Sequence, residues 1–381
     1  MKTGTGKASS VLLRIFAVAF GTFACWAAAL AVVQCLQNKL YLPLALAPLA
    51  IALLSILWKT GRQLYRRIPD ALLTELFAIL CVLSLFGMLY VSHRLRQKFG
   101  VEVWDYSRLE IDAFAKAGGG EIKRSYYLRY PNNQLLLLIL TALSKFVLWM
   151  DPKATGEAFQ QCAIALNCSA ILTSVILTYC VLKKTRGAHF AFLAGISLLF
   201  YLPLWLYSPI YYTDTMGLPL IVLPVLLYTY LADGKTVRNI VLFCLMGIAA
   251  AVGMKIKVSL VLVFAAIGVA VMLFERLKRK WLFVLIGTAA LVLSSFLIQT
   301  GIDKTMHFTK DAYDEYRFPY SHWVMMSLGE SGGYEADLVK YTASFETIAE
   351  REAGIAEKTK ELLNERGFAG TVKHLHTSIF R

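Results

Sequence analysis

Residues 126–150 read YYLRYPNNQLLLLILTALSKFVLWM, and the reading of that stretch decides the fold. An aromatic, basic and polar lead from Tyr126 to Asn133 passes into an apolar run, 134–150. Pro131 favours an extended residue before it and can start the helix after it. Asn132 or Asn133 is then the expected cap. The run is at the short end of what a helix needs to cross hydrocarbon, about 17–25 residues. It is either a span or a helix held on one side of a membrane, and its neighbours decide which.

Those neighbours belong to a membrane protein. The chain of 381 residues is 57% hydrophobic and 17% charged, whereas soluble domains are nearer half apolar and about a quarter charged. The apolar residues gather in blocks of roughly membrane-spanning length. Spans are predicted at 15–35, 40–58, 71–91, 161–182, 188–206, 217–232, 238–254, 259–274 and 281–300. The fold class is all-α, polytopic, with about nine transmembrane helices, because a helix satisfies its own backbone in lipid. Lys2, Lys7 and Arg14 precede a run too long for a signal peptide, which reads as an uncleaved first span.

The net charge of +14 sits in short clusters between apolar blocks, which is topogenic patterning, so no nucleic acid is expected as a partner. The clusters are Lys59/Arg62/Arg66/Arg67, Lys183/Lys184/Arg186, Lys235/Arg238 and Arg276/Lys278/Arg279/Lys280. Counting 134–150 as a full span puts the later clusters outside. Reading it as a re-entrant or juxtamembrane helix on the outer side puts all of them, and the N-terminus, inside. The second reading is adopted, although it leaves Arg94, Arg96 and Lys98 outside. The seven cysteines all lie in apolar stretches without metal spacing and read as small buried residues.

Three parts follow: an N-terminal hairpin (1–70), a membrane core (71–300) with a large outer loop (92–133), and an outer tail (301–381). Gly118-Gly119-Gly120 reads as a flexible joint in that loop. In the tail, Thr347 and Glu350 predict a capping box for a helix running to Gly367. Ile348, Ile355, Leu362 and Leu363 would form its apolar stripe.

The outer loop carries Trp104-Asp105-Tyr106, then Glu110-Ile111-Asp112, then the lead to the apolar run. A carboxylate can take the proton from a hydroxyl in a group transfer. Such a transfer also needs cations near a departing phosphate, and Arg108 and Arg129 share the loop with the acids. Tyr126, Tyr127 and Tyr130 can stack on sugar faces or anchor the interface. The alternative is an ordinary solvated loop.

An acidic first outer loop followed by an aromatic-Pro motif opening a short apolar helix resembles the GT-C glycosyltransferase superfamily, which includes protein O-mannosyltransferases and the bacterial aminoarabinose transferase. Tyr127-Leu128-Arg129-Tyr130-Pro131-Asn132-Asn133 is similar to a branch of multi-spanning transferases of Gram-positive bacteria. Tyr212-Thr213-Asp214-Thr215 and Pro319-Tyr320-Ser321-His322-Trp323 are similar to that branch too. The resemblance spans roughly residues 71–381. It implies a polyprenyl-phosphate sugar donor, an inverting transfer, and Asp105 as base, with Glu110 and Asp112 in the family's acid-x-acid pattern. The extra hairpin at 15–58 and the Asn-Asn after the proline depart from the usual family layout. The family also continues into further spans, so the chain is expected to be a fragment.

On this resemblance Tyr130, Asn132 and Asn133 contact substrate with Arg108 and Arg129. Asp214 positions an acceptor, a metal or a basic partner, or simply caps the next helix. Lys255 and Lys257 interrupt an apolar run and suit a polyprenyl-phosphate headgroup, or simply snorkel. His322 and Trp323 are expected to touch phosphate or sugar. A divalent metal is left open as a cofactor. The expected partners are the donor, membrane lipids, and an envelope glycan, lipid or protein acceptor. The expected location is the cell membrane, multi-pass, with the catalytic loops extracytoplasmic. A transporter or lipid flippase is the rival reading, and a non-catalytic assembly subunit a third.

Overall fold

In a computed structural model the protein is described over residues 67–99 and 105–378, with scattered positions between 18 and 65. Most of the predicted N-terminal hairpin, with its spans at 15–35 and 40–58, lies outside the described residues, as does Trp104. The helices are α1 (Asp70–Phe99), α2 (Asp105–Ala117), α3 (Arg124–Arg129), α4 (Gln134–Met150), α5 (Gly156–Arg186), α6 (Ala188–Leu199), α7 (Leu202–Leu206) and α8 (Thr213–Met216). They continue as α9 (Leu218–Tyr228), α10 (Thr236–Ile256), α11 (Val261–Phe274), α12 (Lys280–Met306), α13 (Lys310–Tyr316), α14 (Tyr320–Ser327), α15 (Ala336–Ala343) and α16 (Ile348–Ser378). Among the described residues there is no strand, and the fold is all-α as composition required.

Among the described residues five stretches are long and apolar enough to cross a membrane: Asp70–Lys98, Pro131–Met150, Gly156–Arg186, Thr236–Ile256 and Lys280–Met306. The runs predicted as spans at 188–206, 217–232 and 259–274 form shorter apolar helices. Gly187, at φ 91°, ends α5 and turns the chain into α6. The predicted 188–206 span breaks after Leu199, and Pro203 opens the separate short helix α7.

The bundle has two distinct ends. Thr74 and Phe77 of α1 meet Tyr179 of α5, hydroxyl to hydroxyl at 3.0 Å and ring to ring at 4.1 Å. At the other end of the same pair, Gln160 of α5 and Arg96 of α1 both reach Glu110. The two helices are therefore antiparallel. At the Thr74 end, Lys184 stacks on Tyr230 and Tyr228 donates to Glu275 at 2.6 Å. The clusters Lys183/Lys184/Arg186, Lys235/Arg238 and Arg276–Lys280 all gather at this far end. The near end collects the acids of α2.

Helix α4 begins at the near end, where Gln134 bonds Gln299 and Tyr313. Helix α5 also begins there. Residues 151–155 join the two, and α4 packs along α2 and α5.

Two boundaries differ from the sequence reading. Helix α1 continues to Phe99, so Arg94, Arg96 and Lys98 are helical and not part of a loop. Arg96 turns inward to Glu110 at 3.2 Å, so it acts as an internal counter-charge. The Gly118–Gly120 run is an ordered helix stop. Gly119 takes φ 86°, Gly119 N–H bonds the Lys116 carbonyl, and Gly120 N–H bonds that of Ala115. This is a Schellman closure, which glycine permits without strain.

Helices α10 and α12 cross at Gly247 and Gly287. A Cβ on Gly247 would lie within 2.1 Å of the Gly287 carbonyl oxygen, so only glycine lets the backbones approach this closely. The tail forms its own small core from Phe318, Met325, Met326, Leu338, Val339 and Ile355. Its predicted capping box is present: Thr347 Oγ1 accepts from Glu350 N–H at 3.2 Å, and Glu350 Oε2 accepts from Thr347 N–H at 3.1 Å. Gly367, at φ 64°, kinks the helix where its end was expected. Ile355 and Leu362 face the tail core, while Leu363 is exposed.

Candidate functional site

Helix α2 carries three carboxylates, and the structure treats them differently. Its period brings Asp105 and Asp112 to one face, two turns apart, with Glu110 on a neighbouring face. Asp112 is 2% exposed and takes Arg108 Nε at 2.9 Å. Glu110 is held by three donors: Arg96 at 3.2 Å, Gln160 at 2.7 Å and the Tyr211 hydroxyl. Burial, then the Glu110 charge, pushes the Tyr211 phenol far above its ordinary range, so it stays a donor.

Asp105 starts the helix and is exposed. It accepts from the Tyr212 hydroxyl at 3.0 Å. It also lies on the walls of two cavities. The larger, about 930 Å³, is lined by Asp105, Arg129, Asn132 and Val339 and by the rings of Tyr126, Tyr130, Tyr212, Trp323 and Tyr334. The smaller, about 400 Å³, is lined by Asp105, Tyr207, Ile210, Tyr212, Asp214 and Thr215. Asp105 and Tyr212 are common to both. Burial, and then the Asp105 charge beside them, raises the Tyr126 and Tyr212 phenols well above the ordinary value.

The aromatic-Pro lead builds the wall of the larger cavity. Pro131 opens a 3-10 turn, Pro131–Asn133, that passes straight into α4. Neither asparagine side chain caps α4, contrary to the sequence reading. Asn133 is instead buried and donates to the Tyr126 hydroxyl at 2.8 Å, while Asn132 donates to Asn133 at 3.1 Å. Tyr130 lies against Trp323, rings 5.8 Å apart, so tail and loop share the cavity. Arg129 sits over the Phe318 ring at 4.8 Å, and its Nε is buried without a partner among the described residues.

The remaining predicted residues divide. Asp214 does not cap α8; it pairs with Lys257 beside the smaller cavity. Lys255 donates to Gln299 at 2.8 Å and belongs to a polar cluster between α10 and α12. In that cluster Gln299 also meets Gln134 and Asp303, and Tyr313 donates to Asp303 at 2.8 Å. His322 is fully buried behind the cavity wall, its Nδ1 2.8 Å from the Thr342 hydroxyl. Burial, then the Arg129 charge, lowers its pKa from 6.5 to about 4. It stays neutral and does not line the cavity that its neighbour Trp323 lines. Among the described residues no three His, Cys, Asp or Glu side chains converge as metal ligands.

Several residues of this end escaped the sequence reading. The sequence reading leaves Arg96 on the outer side without a partner, and its ion pair with Glu110 comes from another helix. Tyr211, Tyr334, Gln134, Gln299 and Asp303 gave no signal, since long-range pairing is invisible in spacing. Tyr212 stood in a quoted motif without a role.

No curated protein and no solved structure matches the chain. The family model described as "Conserved hypothetical integral membrane protein" matches residues 45–378, which takes in both cavities and the tail, and the chain belongs to that family.

Proposed function

We propose that the protein is a membrane glycosyltransferase that moves a sugar from a polyprenyl-phosphate donor to an envelope acceptor at the outer face. One observation carries this: Asp105 lies on the wall of a large cavity, which has aromatic walls and an arginine, while Glu110 and Asp112 on the same helix are paired with arginines. Aromatic rings suit sugar faces, and the cationic groups suit a leaving phosphate. The separation of basic clusters at the far end from the acids at the near end supports an extracytoplasmic site.

In this reading Asp105 takes the proton from the acceptor hydroxyl as its oxygen attacks the anomeric carbon. The bond from that carbon to the phosphate oxygen breaks, and the lipid phosphate leaves with the electron pair. The sugar is transferred with inversion. Tyr212 orients the Asp105 carboxylate through its hydrogen bond. Arg129, on the wall of the larger cavity, and Lys257, paired with Asp214 of the smaller, serve as phosphate contacts, and Tyr130 and Trp323 hold the sugar ring. Glu110, Asp112 and Arg108 keep α2 in place.

The test is transfer of radiolabelled sugar from purified polyprenyl-phosphate donors in proteoliposomes, wild type beside Asp105→Asn. Transfer by the wild type and its loss in a folded variant support the reading. Equal activity in both removes Asp105 as base.

A second reading, a transporter or flippase, is favoured by the Lys255–Gln299–Asp303 cluster, which places ionisable groups within apolar helices. It predicts lipid or solute movement across vesicles that Lys255→Met stops and Asp105→Asn does not.

A further inference from the structure

The far end of the bundle holds a feature that neither cavity at the near end explains. The turn between α11 and α12 brings Lys278 and Arg279 beside Lys235, at the start of α10. Together they line a pocket of about 220 Å³ that reaches down to Phe283. These three side chains form no hydrogen bond or ion pair among the described residues, and all three residues are exposed. Asn239, also in the pocket wall, spends its amide on the Ala232 backbone. Thr236 adds a hydroxyl to the lining, and the Asp233 carboxylate accepts from the Lys278 backbone N–H at 3.4 Å, so three cationic side chains stand against one acid.

Between α11 and α12 runs a groove of about 520 Å³. It is lined by Phe264, Gly268, Val269, Met272, Val284 and Leu291 among others. The pocket and the groove share one hairpin. Phe283 lines the first, and Val284, the next residue, lines the second. Gly268 keeps the groove open: a Cβ there would touch only Val284, at 3.7 Å.

Arg279 adds a separate mark. It sits at φ 60°, ψ 27°, a left-handed conformation unfavourable for a residue with a Cβ. A glycine would fit that turn with less strain, so the backbone alone gives no reason for arginine. Strain of this kind tends to gather at functional positions.

We propose that this hairpin is a binding site for one anionic phospholipid, with its phosphate among Lys235, Lys278 and Arg279 and one acyl chain in the α11–α12 groove. Charge complementarity selects this occupant. A cationic pocket and an apolar trough built on one hairpin match an amphiphile with an anionic head at the membrane boundary. A neutral lipid would leave the cations unpaired, and a free anion would leave the groove uncovered. The inference stands apart from the catalytic proposal, since the site lies at the opposite end of the bundle.

The test is native mass spectrometry of the full chain in detergent, with phosphatidylglycerol and phosphatidylcholine of identical acyl chains as probes. The wild type is expected to retain one phosphatidylglycerol at least about tenfold better than phosphatidylcholine. Arg279→Gly and Lys278→Gln should each erase most of that preference. Because glycine relaxes the turn, misfolding would not account for the loss in Arg279→Gly. Gly268→Leu fills the groove and should weaken phosphatidylglycerol retention with the cations intact. A control, Lys183→Gln with Arg186→Gln at the same end, should leave retention unchanged. An absence of lipid preference in the wild type overturns the proposal. So does an equal loss in the control, which would mean diffuse surface charge, or full retention by Gly268→Leu.

Discussion

The first turn of α2 and the turns that follow it put the same chemical group to opposite uses. Glu110 and Asp112 are tied to Arg96 and Arg108, and Glu110 also takes two neutral donors. Asp105 meets only neutral phenols, Tyr212 and Tyr126, and lies on the walls of two cavities. A buried carboxylate paired with an arginine is a strut; an exposed one on a cavity wall is available for proton transfer. The contrast shows that an acid-x-acid pattern says little about which acid works. Burial and the charge of the partner are the discriminating quantities: Asp112 is 2% exposed against Arg108, whereas Asp105 is exposed beside a phenol.

The strongest way to break this contrast is to neutralise each acid and measure activity and stability together. Asp105→Asn is expected to lower transfer by about 10²–10⁴-fold, the range for a lost general base. Its melting temperature in detergent should stay with the wild type. Glu110→Ala should do the reverse. It leaves the mostly buried Arg96, 13% exposed, without its counter-charge and is expected to cost about 2–4 kcal/mol of stability, somewhat below a fully buried pair. A stable Glu110→Ala protein that had lost only activity would make Glu110 the working acid.

Asp112→Asn is a milder case of the same kind. Asp112 is buried, but Arg108 is 39% exposed and regains water when the pair is weakened. The expected loss is about 1–2 kcal/mol after allowing for that screening. Adjacent tyrosines sharpen the comparison further. Tyr212 donates to Asp105 and Tyr211 to Glu110. Tyr212→Phe should slow transfer by about fivefold, the equivalent of one hydrogen bond of about 1 kcal/mol, with little change in stability. Tyr211→Phe should lower the melting temperature and leave the pH profile of transfer in place.

Much of this architecture was legible from sequence because it rests on local rules. Apolar blocks gave the membrane helices, Thr347 and Glu350 gave the cap of α16, and the charge clusters marked one end of the bundle. Pro131 marked the start of a helix. The cap beside it was misread, since Asn133 finds a better partner in buried Tyr126 than in the helix N-terminus. Asp105 was legible as a candidate, but its separation from Glu110 and Asp112 was not. That separation depends on Arg96, Gln160 and Tyr211, which come from other helices and share no spacing with α2. The glycines of 118–120 were misread for a related reason: a flexible sequence becomes a fixed stop once the helix before it supplies carbonyls to close on.

The smallest expected effect concerns His322, where the tail meets the cavity wall. Unlike the carboxylates of α2, this buried group is kept neutral. Its Nδ1 is 2.8 Å from the Thr342 hydroxyl, and its Nε2 is buried with no partner among the described residues. Protonation would leave a buried N–H unpaired close to Arg129, so the folded protein holds the pKa at about 4 against 6.5 for the free side chain. The unfolded chain therefore binds the proton first as the pH falls. Stability is full above about 6.5, declines as the pH drops below it, and levels off below about 4. His322→Gln can keep a hydrogen bond to Thr342 but cannot titrate. Melting temperatures of the two proteins, measured across that window, should converge as the pH falls, with the wild type losing more. A parallel decline would mean that the acid sensitivity lies elsewhere than His322.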